Sequence, residues 1–184
     1  DTLEAKAVAV CLSNIFGAGG AVFRTGVAKP MEVDTVAFGC YKKDVFDRIG
    51  LYNEKMEKIE DLELNYRLRA AGGKIMLFPD ITAKYYPSSD NFVDFFKHNF
   101  GDGIWATYPL RYGFKVGLRH FIPLIFVATI FVSIWPYTLV SLFFSASVAL
   151  EEKDWRLFFV MPIAFGIRHI AYGLGSIVGL FKSK

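Results

Sequence analysis

Residues 33–79 read VDTVAFGCYKKDVFDRIGLYNEKMEKIEDLELNYRLRAAGGKIMLFP, from Val33 to Pro79, and the order of signals inside this stretch decides the fold class. VDTVAF, Val33 to Phe38, is rich in β-branched residues and predicts a buried strand that ends at Gly39. Asp44 to Ile49 predicts a short helix with acids in its first turn and Gly50 as its stop. Glu60 to Ala71 predicts a longer helix. Leu64, Leu68 and Ala71 would share one face, and Glu63 can pair with Arg67 one turn on. Gly72-Gly73 ends that helix by supplying a left-handed cap. Lys74 to Pro79 and Thr82 to Tyr86 then predict two more short strands, so strands and helices alternate and the class is α/β.

On the N-terminal side, Ala7 to Ala18 mixes small and apolar residues and predicts a helix running into the loop Gly17-Ala18-Gly19-Gly20. On the C-terminal side, Phe92, Phe95, Phe96, Phe100 and Ile104 recur at helical spacing within Asp90 to Trp105. Such a stripe reads as core or as a helix lying at a membrane interface. Arg111, Lys115 and Arg119 follow at intervals of four, a basic stripe suited to anionic headgroups. Phe121 to Leu150 holds no charged residue over thirty positions. A membrane span needs about 20 apolar residues, so this run predicts one long tilted helix or a tight pair broken at Trp135-Pro136. After the polar loop Glu151 to Arg156 comes a second apolar block, Leu157 to Phe181, interrupted by Arg168 and His169. An ionisable residue there must face protein or water. Charge at the two ends favours two spans with both ends inside, and a turn at Pro136 would make three.

The composition agrees with this division. Hydrophobic residues make up 53 % of the 184, above the usual soluble share, and they concentrate at the back. Residues 1–120 carry 16 Lys and Arg against 15 Asp and Glu, while residues 121–184 carry five against three. A net charge of +3, thinly spread, excludes a nucleic-acid partner. Cys11 and Cys40 stand in no CxxC and in no zinc-like spacing with His, and two buried thiols are expected. His98, His120 and His169 are scattered and form no metal constellation.

The ordered run Gly39-x-Tyr41-Lys-Lys-x-Val-Phe, then Glu60-Asp61-x-Glu-Leu-Asn-Tyr-Arg-Leu-Arg-x-Ala-Gly-Gly-Lys-Ile, resembles the acceptor half of the family 2 glycosyltransferases. With SNIFGAGGAVFR (Ser13 to Arg24) before it, the resemblance covers about 1–120. RHFIP and IAYGLG (Ile170 to Gly175) resemble members that build exopolysaccharides of the succinoglycan type. The resemblance implies a partial GT-A (nucleotide-diphospho-sugar transferase) domain followed by C-terminal transmembrane helices. The expected segments are an acceptor-side half at 1–89, an amphipathic juxtamembrane segment at 90–120 and a transmembrane region at 121–184.

Family 2 members of this kind transfer a sugar from a nucleotide-sugar donor with inversion, here onto a saccharide acceptor expected to be lipid-linked. Inversion needs one base to take the proton of the attacking hydroxyl. The resemblance assigns that base to Asp61, at a helix start where the backbone dipole favours its ionised form, with Glu60 orienting the acceptor. A hydrolase pair is excluded, because helix neighbours point about 100° apart and cannot clasp a bond between them. The bland alternative is that Glu60, Asp61 and Glu63 only decorate a helix N-terminus.

Gly39 would underlie the acceptor site or serve a simple strand-end turn, Asp34 would face the site or cap a neighbouring loop, Trp105 stands in the region of the family's acceptor-binding tryptophan, and Gly19, Gly20 and Arg24 resemble a loop near the donor. The chain has no DxD, so Mg²⁺ or Mn²⁺ and the donor's diphosphate are expected to be held by a half outside it. It also lacks the Gln-x-x-Arg-Trp motif of processive synthases, which favours single-sugar addition. The expected location is the inner membrane among its lipids, with the catalytic part cytoplasmic. The rival expectation is a non-catalytic membrane subunit or a degenerate transferase scaffold.

Overall fold

The computed structural model describes residues 2–113 and 117–182, without the side chains of Arg111 and Tyr112. Lys115 of the basic stripe, and Ser183 and Lys184 of the basic tail, lie outside the described residues. The helices are α1 (Leu3–Ser13), α2 (Ile15–Ala18), α3 (Val22–Thr25), α4 (Lys43–Ile49), α5 (Glu60–Ala70), α6 (Phe92–Thr107), α7 (Ile122–Ala128), α8 (Ile130–Glu151) and α9 (Arg156–Phe181), and the strands are β1 (Met31–Val33) and β2 (Ile75–Leu77). The chain forms two compact units. One is Ala21–Lys84, and the other comprises the segments up to Gly20 and from Tyr85 onward. Residues before Ala21 therefore pack with the C-terminal helices, whereas the sequence grouped them with the rest of 1–89.

In the unit Ala21–Lys84, α5 is the organising helix. Its apolar face is Leu64 and Leu68, both buried, with Asn65 between them, while Ala71, expected on that face, is exposed. Glu63 and Arg67 pair as their spacing predicted, through two bonds of 2.7 and 2.8 Å. Arg67 also donates to the carbonyls of Ile49 and, at 2.8 Å, Leu51, which ties α5 to the end of α4. The helix closes as its two glycines foretold. Gly73 N–H bonds the Leu68 carbonyl at 2.9 Å and Gly72 N–H the Arg69 carbonyl at 3.0 Å, with Gly72 at φ 80°. This is a Schellman cap, in which the left-handed residue satisfies carbonyls that the helix leaves open.

The strands depart from expectation. β1 and β2 form a two-stranded antiparallel sheet with Met31 opposite Leu77 and Val33 opposite Ile75. Instead of running to Phe38, β1 stops at Val33, because the Thr35 hydroxyl and the Val36 carbonyl are taken by the Asn65 side chain rather than by a neighbouring strand. Thr82 to Tyr86 forms no strand and is exposed throughout. The α/β expectation holds only in part. Strand and helix occur together, but the described residues are mostly helical, and no GT-A sheet is seen among them.

In the second unit, α1, α6, α8 and α9 meet around Ala7, Val8, Cys11, Phe95, Val148, Leu157, Met161, Ala164 and Phe165. α6 runs parallel to α9. Asn99 meets Arg168, Gly103 meets the Tyr172 carbonyl and Ser176, and Thr107 donates to the Ser176 carbonyl at 2.7 Å. A Cβ on Gly103, Gly175 or Gly179 would run into the facing backbone, so small residues set this close approach. The buried stripe of α6 includes Phe95, Asn99, Gly103 and Thr107, turned from the predicted aromatic face, and Phe96 stays 38 % exposed.

α8 is continuous through Pro136, so of the two expected forms the pair broken at Trp135-Pro136 is not seen, and a bend lies earlier, at Thr129. At that bend the Thr129 N–H still bonds the Ile125 carbonyl at 2.9 Å, and the hydroxyls of Thr129 and Ser133 add bonds to the Ile125 and Phe126 carbonyls. α8 and α9 are long and apolar enough to cross a membrane, and they fit membrane helices. On α8, Phe131, Trp135, Leu139 and Phe143 are spaced one turn apart and are each at least two-thirds exposed, an apolar stripe with no protein over it. Arg168 faces protein, as an ionisable residue in such a helix must. Its guanidinium donates to Asn99 Oδ1, reaches the Gly17 carbonyl at 3.3 Å and lies 3.8 Å from Asp102.

Candidate functional site

The residues with chemistry to offer gather where α5 begins. Its first turn holds Glu60, Asp61 and Glu63, and the residue before it, Ile59, adopts a left-handed φ of 59°. A β-branched side chain there is strained, which is uncommon outside sites that require it. Ile59 supplies no side-chain cap, and Asp61 fills that role by accepting the Leu62 N–H at 2.7 Å.

Glu60 is exposed and Asp61 is partly buried. Burial lifts the Asp61 carboxyl above the usual carboxylate range. The Leu62 N–H pulls the other way, and the neighbouring Glu60 charge adds to the rise. The expectation that the helix start would favour the ionised form is therefore corrected, because desolvation outweighs the backbone groups. A carboxylate lifted in this way is a better proton acceptor than a free one.

One turn on from Asp61, and so on the same face of α5, stands Asn65. It is fully buried and makes three bonds. Its Oδ1 accepts from Tyr41 Oη at 2.8 Å, and its Nδ2 donates to Thr35 Oγ1 at 2.8 Å and to the Val36 carbonyl at 3.5 Å. One side chain thus holds both ends of the loop that carries Gly39. The Tyr41 ring lies across Gly39, so that a Cβ there would stand 2.8 Å from Tyr41 Oη. Burial first, then the charges of Tyr52 and Asp61, push the Tyr41 phenol up to about 12, so it remains a proton donor at neutral pH.

The remaining candidates divide between the two units. Glu60, Asp61, Gly39, Asp34 and Arg24 belong to Ala21–Lys84. There Asp34 offers its carbonyl to Arg69 at 3.5 Å, and the Arg24 guanidinium lies over the Phe23 ring at 5.6 Å. Gly19 and Gly20 belong to the other unit, with φ of 60° and 78°, and the Gly20 carbonyl accepts from Arg119 at 3.4 Å. Trp105 belongs there too. It is buried, packs edge-on against Tyr108 at 5.2 Å and receives the Lys182 ammonium 5.4 Å over its ring. The donor-loop trio is therefore divided between units, and Trp105 serves as packing and as a cation–π partner. Of the cysteines, Cys11 is buried as expected, but Cys40 is exposed.

Sequence reasoning passed over Asn65, Tyr41, Thr35 and Phe38. The available signal was Asn65 itself, an amide between two buried leucines on a helix face, one turn from the candidate base.

The chain is 32 % identical over 120 residues to the succinoglycan biosynthesis protein ExoA of Rhizobium meliloti, an alignment covering 65 % of this chain and 36 % of that protein. The chain thus spans about a third of the length of the curated relative it matches. No family model and no solved structure matches it.

The Asn65 network should dominate the local stability of Ala21–Lys84. Asn65→Ala strands the Tyr41 and Thr35 hydroxyls and should cost about 2–4 kcal/mol, whereas Tyr41→Phe removes one bond and should cost about 1 kcal/mol. Urea unfolding of the two variants checks both values. Equal, small losses would mean that the network does not hold the loop.

Proposed function

We propose that this chain carries the acceptor side of a membrane-bound, inverting glycosyltransferase of family 2, acting in exopolysaccharide biosynthesis. The observation that carries the reading is the partly buried Asp61 at the start of α5, beside a loop bearing Gly39 that Asn65 holds in place. The similarity to a succinoglycan biosynthesis protein supports the pathway class. The donor is a nucleotide sugar and the acceptor a lipid-linked saccharide.

In the proposed reaction the acceptor hydroxyl gives its proton to an Asp61 oxygen as its own oxygen attacks the anomeric carbon. The bond from that carbon to the diphosphate oxygen breaks, the nucleoside diphosphate leaves, and configuration inverts. Glu60, exposed beside Asp61, orients the acceptor. The family resemblance adds Mg²⁺ or Mn²⁺ on the diphosphate. Among the described residues no group of three or more His, Cys, Asp or Glu side chains could hold a metal ion, so the residues present do not fit one and no step here runs through it.

α8 and α9 anchor the chain in the inner membrane, their exposed apolar stripe against lipid, and Ala21–Lys84 lies on the cytoplasmic side where nucleotide sugars are made. The scaffold reading has one observation in its favour: Asp61 also closes its own helix through the Leu62 N–H.

Asp61→Asn separates the two readings. The amide can still accept the Leu62 N–H but cannot take a proton from the acceptor, so transfer should fall by ~10²–10⁴ with helix content unchanged. The wild-type rate should also begin to fall on the acid side at a higher pH than an unperturbed carboxylate would give. Asp61 must be ionised to act, and its raised pKa means that it is protonated earlier as pH drops. Near-normal turnover by the Asn variant in a membrane assay would leave Asp61 as a cap only.

Exposed Cys40 reports sidedness, since Cys11 is buried. An impermeant maleimide should leave Cys40 unlabelled in intact cells and label it in inside-out vesicles, with Cys40→Ser as the control. Labelling from outside intact cells would refute the cytoplasmic placement.

A further inference from the structure

Phe38 sits at the tip of the loop that Asn65 holds, and two features of it conflict with a structural role. Its side chain is 83 % exposed, so the ring adds little to the packing of the described residues. Its backbone takes φ 55°, a left-handed conformation that L-residues other than glycine enter at a cost. Gly39 is adjacent, and a glycine at 38 would occupy the same conformation without strain. A large ring kept in solvent by a strained backbone is the opposite of what burial selects.

The loop is not a loose tip. Thr35 and Val36 on one side of Phe38, and Tyr41 on the other, are bonded to the single buried amide of Asn65. Asn65 and Asp61 are one turn apart on α5, so the tip is fixed to the same helix face that presents the carboxylate. Next to Phe38, Gly39 carries no side chain, and the anchored Tyr41 ring lies closest to where its Cβ would be.

We propose that Phe38 is the stacking shelf for the acceptor saccharide, its ring face against the C–H face of a pyranose. Pyranose C–H groups carry partial positive charge and an aromatic face is negative, so the contact suits a sugar and needs no hydrogen-bond partner from the ring. Asn65 is the positioning residue that holds the shelf. This assignment rests on the glycosyltransferase reading above, and it adds the residue that sets acceptor affinity.

The test uses the full-length protein in detergent, with methyl β-glucoside and methyl β-galactoside as probes and saturation-transfer NMR as the readout. Wild type and Asp61→Asn should both bind a glycoside, Phe38→Ala should weaken that binding by about tenfold, and Phe38→Trp should retain it. In turnover assays Phe38→Ala should raise the KM for the acceptor by a similar factor and leave kcat and the donor KM within about twofold. Phe38→Gly should leave Tm unchanged or raise it by up to about 3 °C, because it relieves the left-handed strain and loses no packing. Unweakened glycoside binding by Phe38→Ala, or a fall in Tm for Phe38→Gly, overturns the shelf. Glycoside binding that Phe38→Ala weakens, in a protein with no transfer activity, supports the shelf and refutes the transferase reading. Absence of both binding and transfer in the wild type refutes both.

Discussion

One buried amide holds the candidate site together. Asn65 lies between Leu64 and Leu68, where a polar side chain without partners would destabilise the helix packing, and its three bonds turn that liability into a clamp on residues 35–41. β1 ends early because of it, since the Val36 carbonyl goes to Asn65 instead of to a sheet. The exposed positions at Phe38 and Cys40 follow from the same clamp, because the chain between Thr35 and Tyr41 must bulge outward from its two fixed points. The carboxylate of Asp61 shares the helix face that carries the clamp. The loop beside the proposed base is therefore held by one side chain.

The second unit solves a different problem, an arginine in the middle of an apolar helix. Arg168 is met by Asn99 and Asp102 from α6 and by the Gly17 carbonyl from α2, so its charge is spent inside protein. Glycines at 103, 175 and 179 let α6 come close enough for those bonds to form. The polar pair and the glycine contacts are mutually dependent, and together they explain why α6 lies along α9 instead of presenting an open aromatic face.

What the sequence made legible were the features decided within one or two turns of chain. The Glu63–Arg67 pair, the Gly50 stop and the Gly72-Gly73 cap all depend on residues a few positions apart, and each stands where its spacing put it. Two long apolar helices were equally plain, because length and composition alone define them. What failed depended on distant partners. The β-branched run after Val33 looked like a strand until Asn65, about thirty residues away, took its polar groups. The first apolar run left open one long helix or a pair broken at Pro136; the helix passes through Pro136, and the bend falls at Thr129, where the Thr129 and Ser133 hydroxyls add bonds to the Ile125 and Phe126 carbonyls. Asp61 was chosen as the base by resemblance, and its rise in pKa came from burial that no local pattern displays. Phe38 was invisible for the same reason, since exposure and backbone hand are properties of the folded loop.

In the proposed reaction a single carboxylate at the start of α5 promotes one direct displacement. The product's anomeric configuration tests it most directly. Transfer from a donor of known configuration, followed by proton NMR of the H1–H2 coupling in the new glycoside, should show the opposite configuration at the transferred carbon. A product that keeps the donor's configuration would contradict the claim, because it requires two displacements or a front-side attack that one proton-accepting carboxylate does not explain.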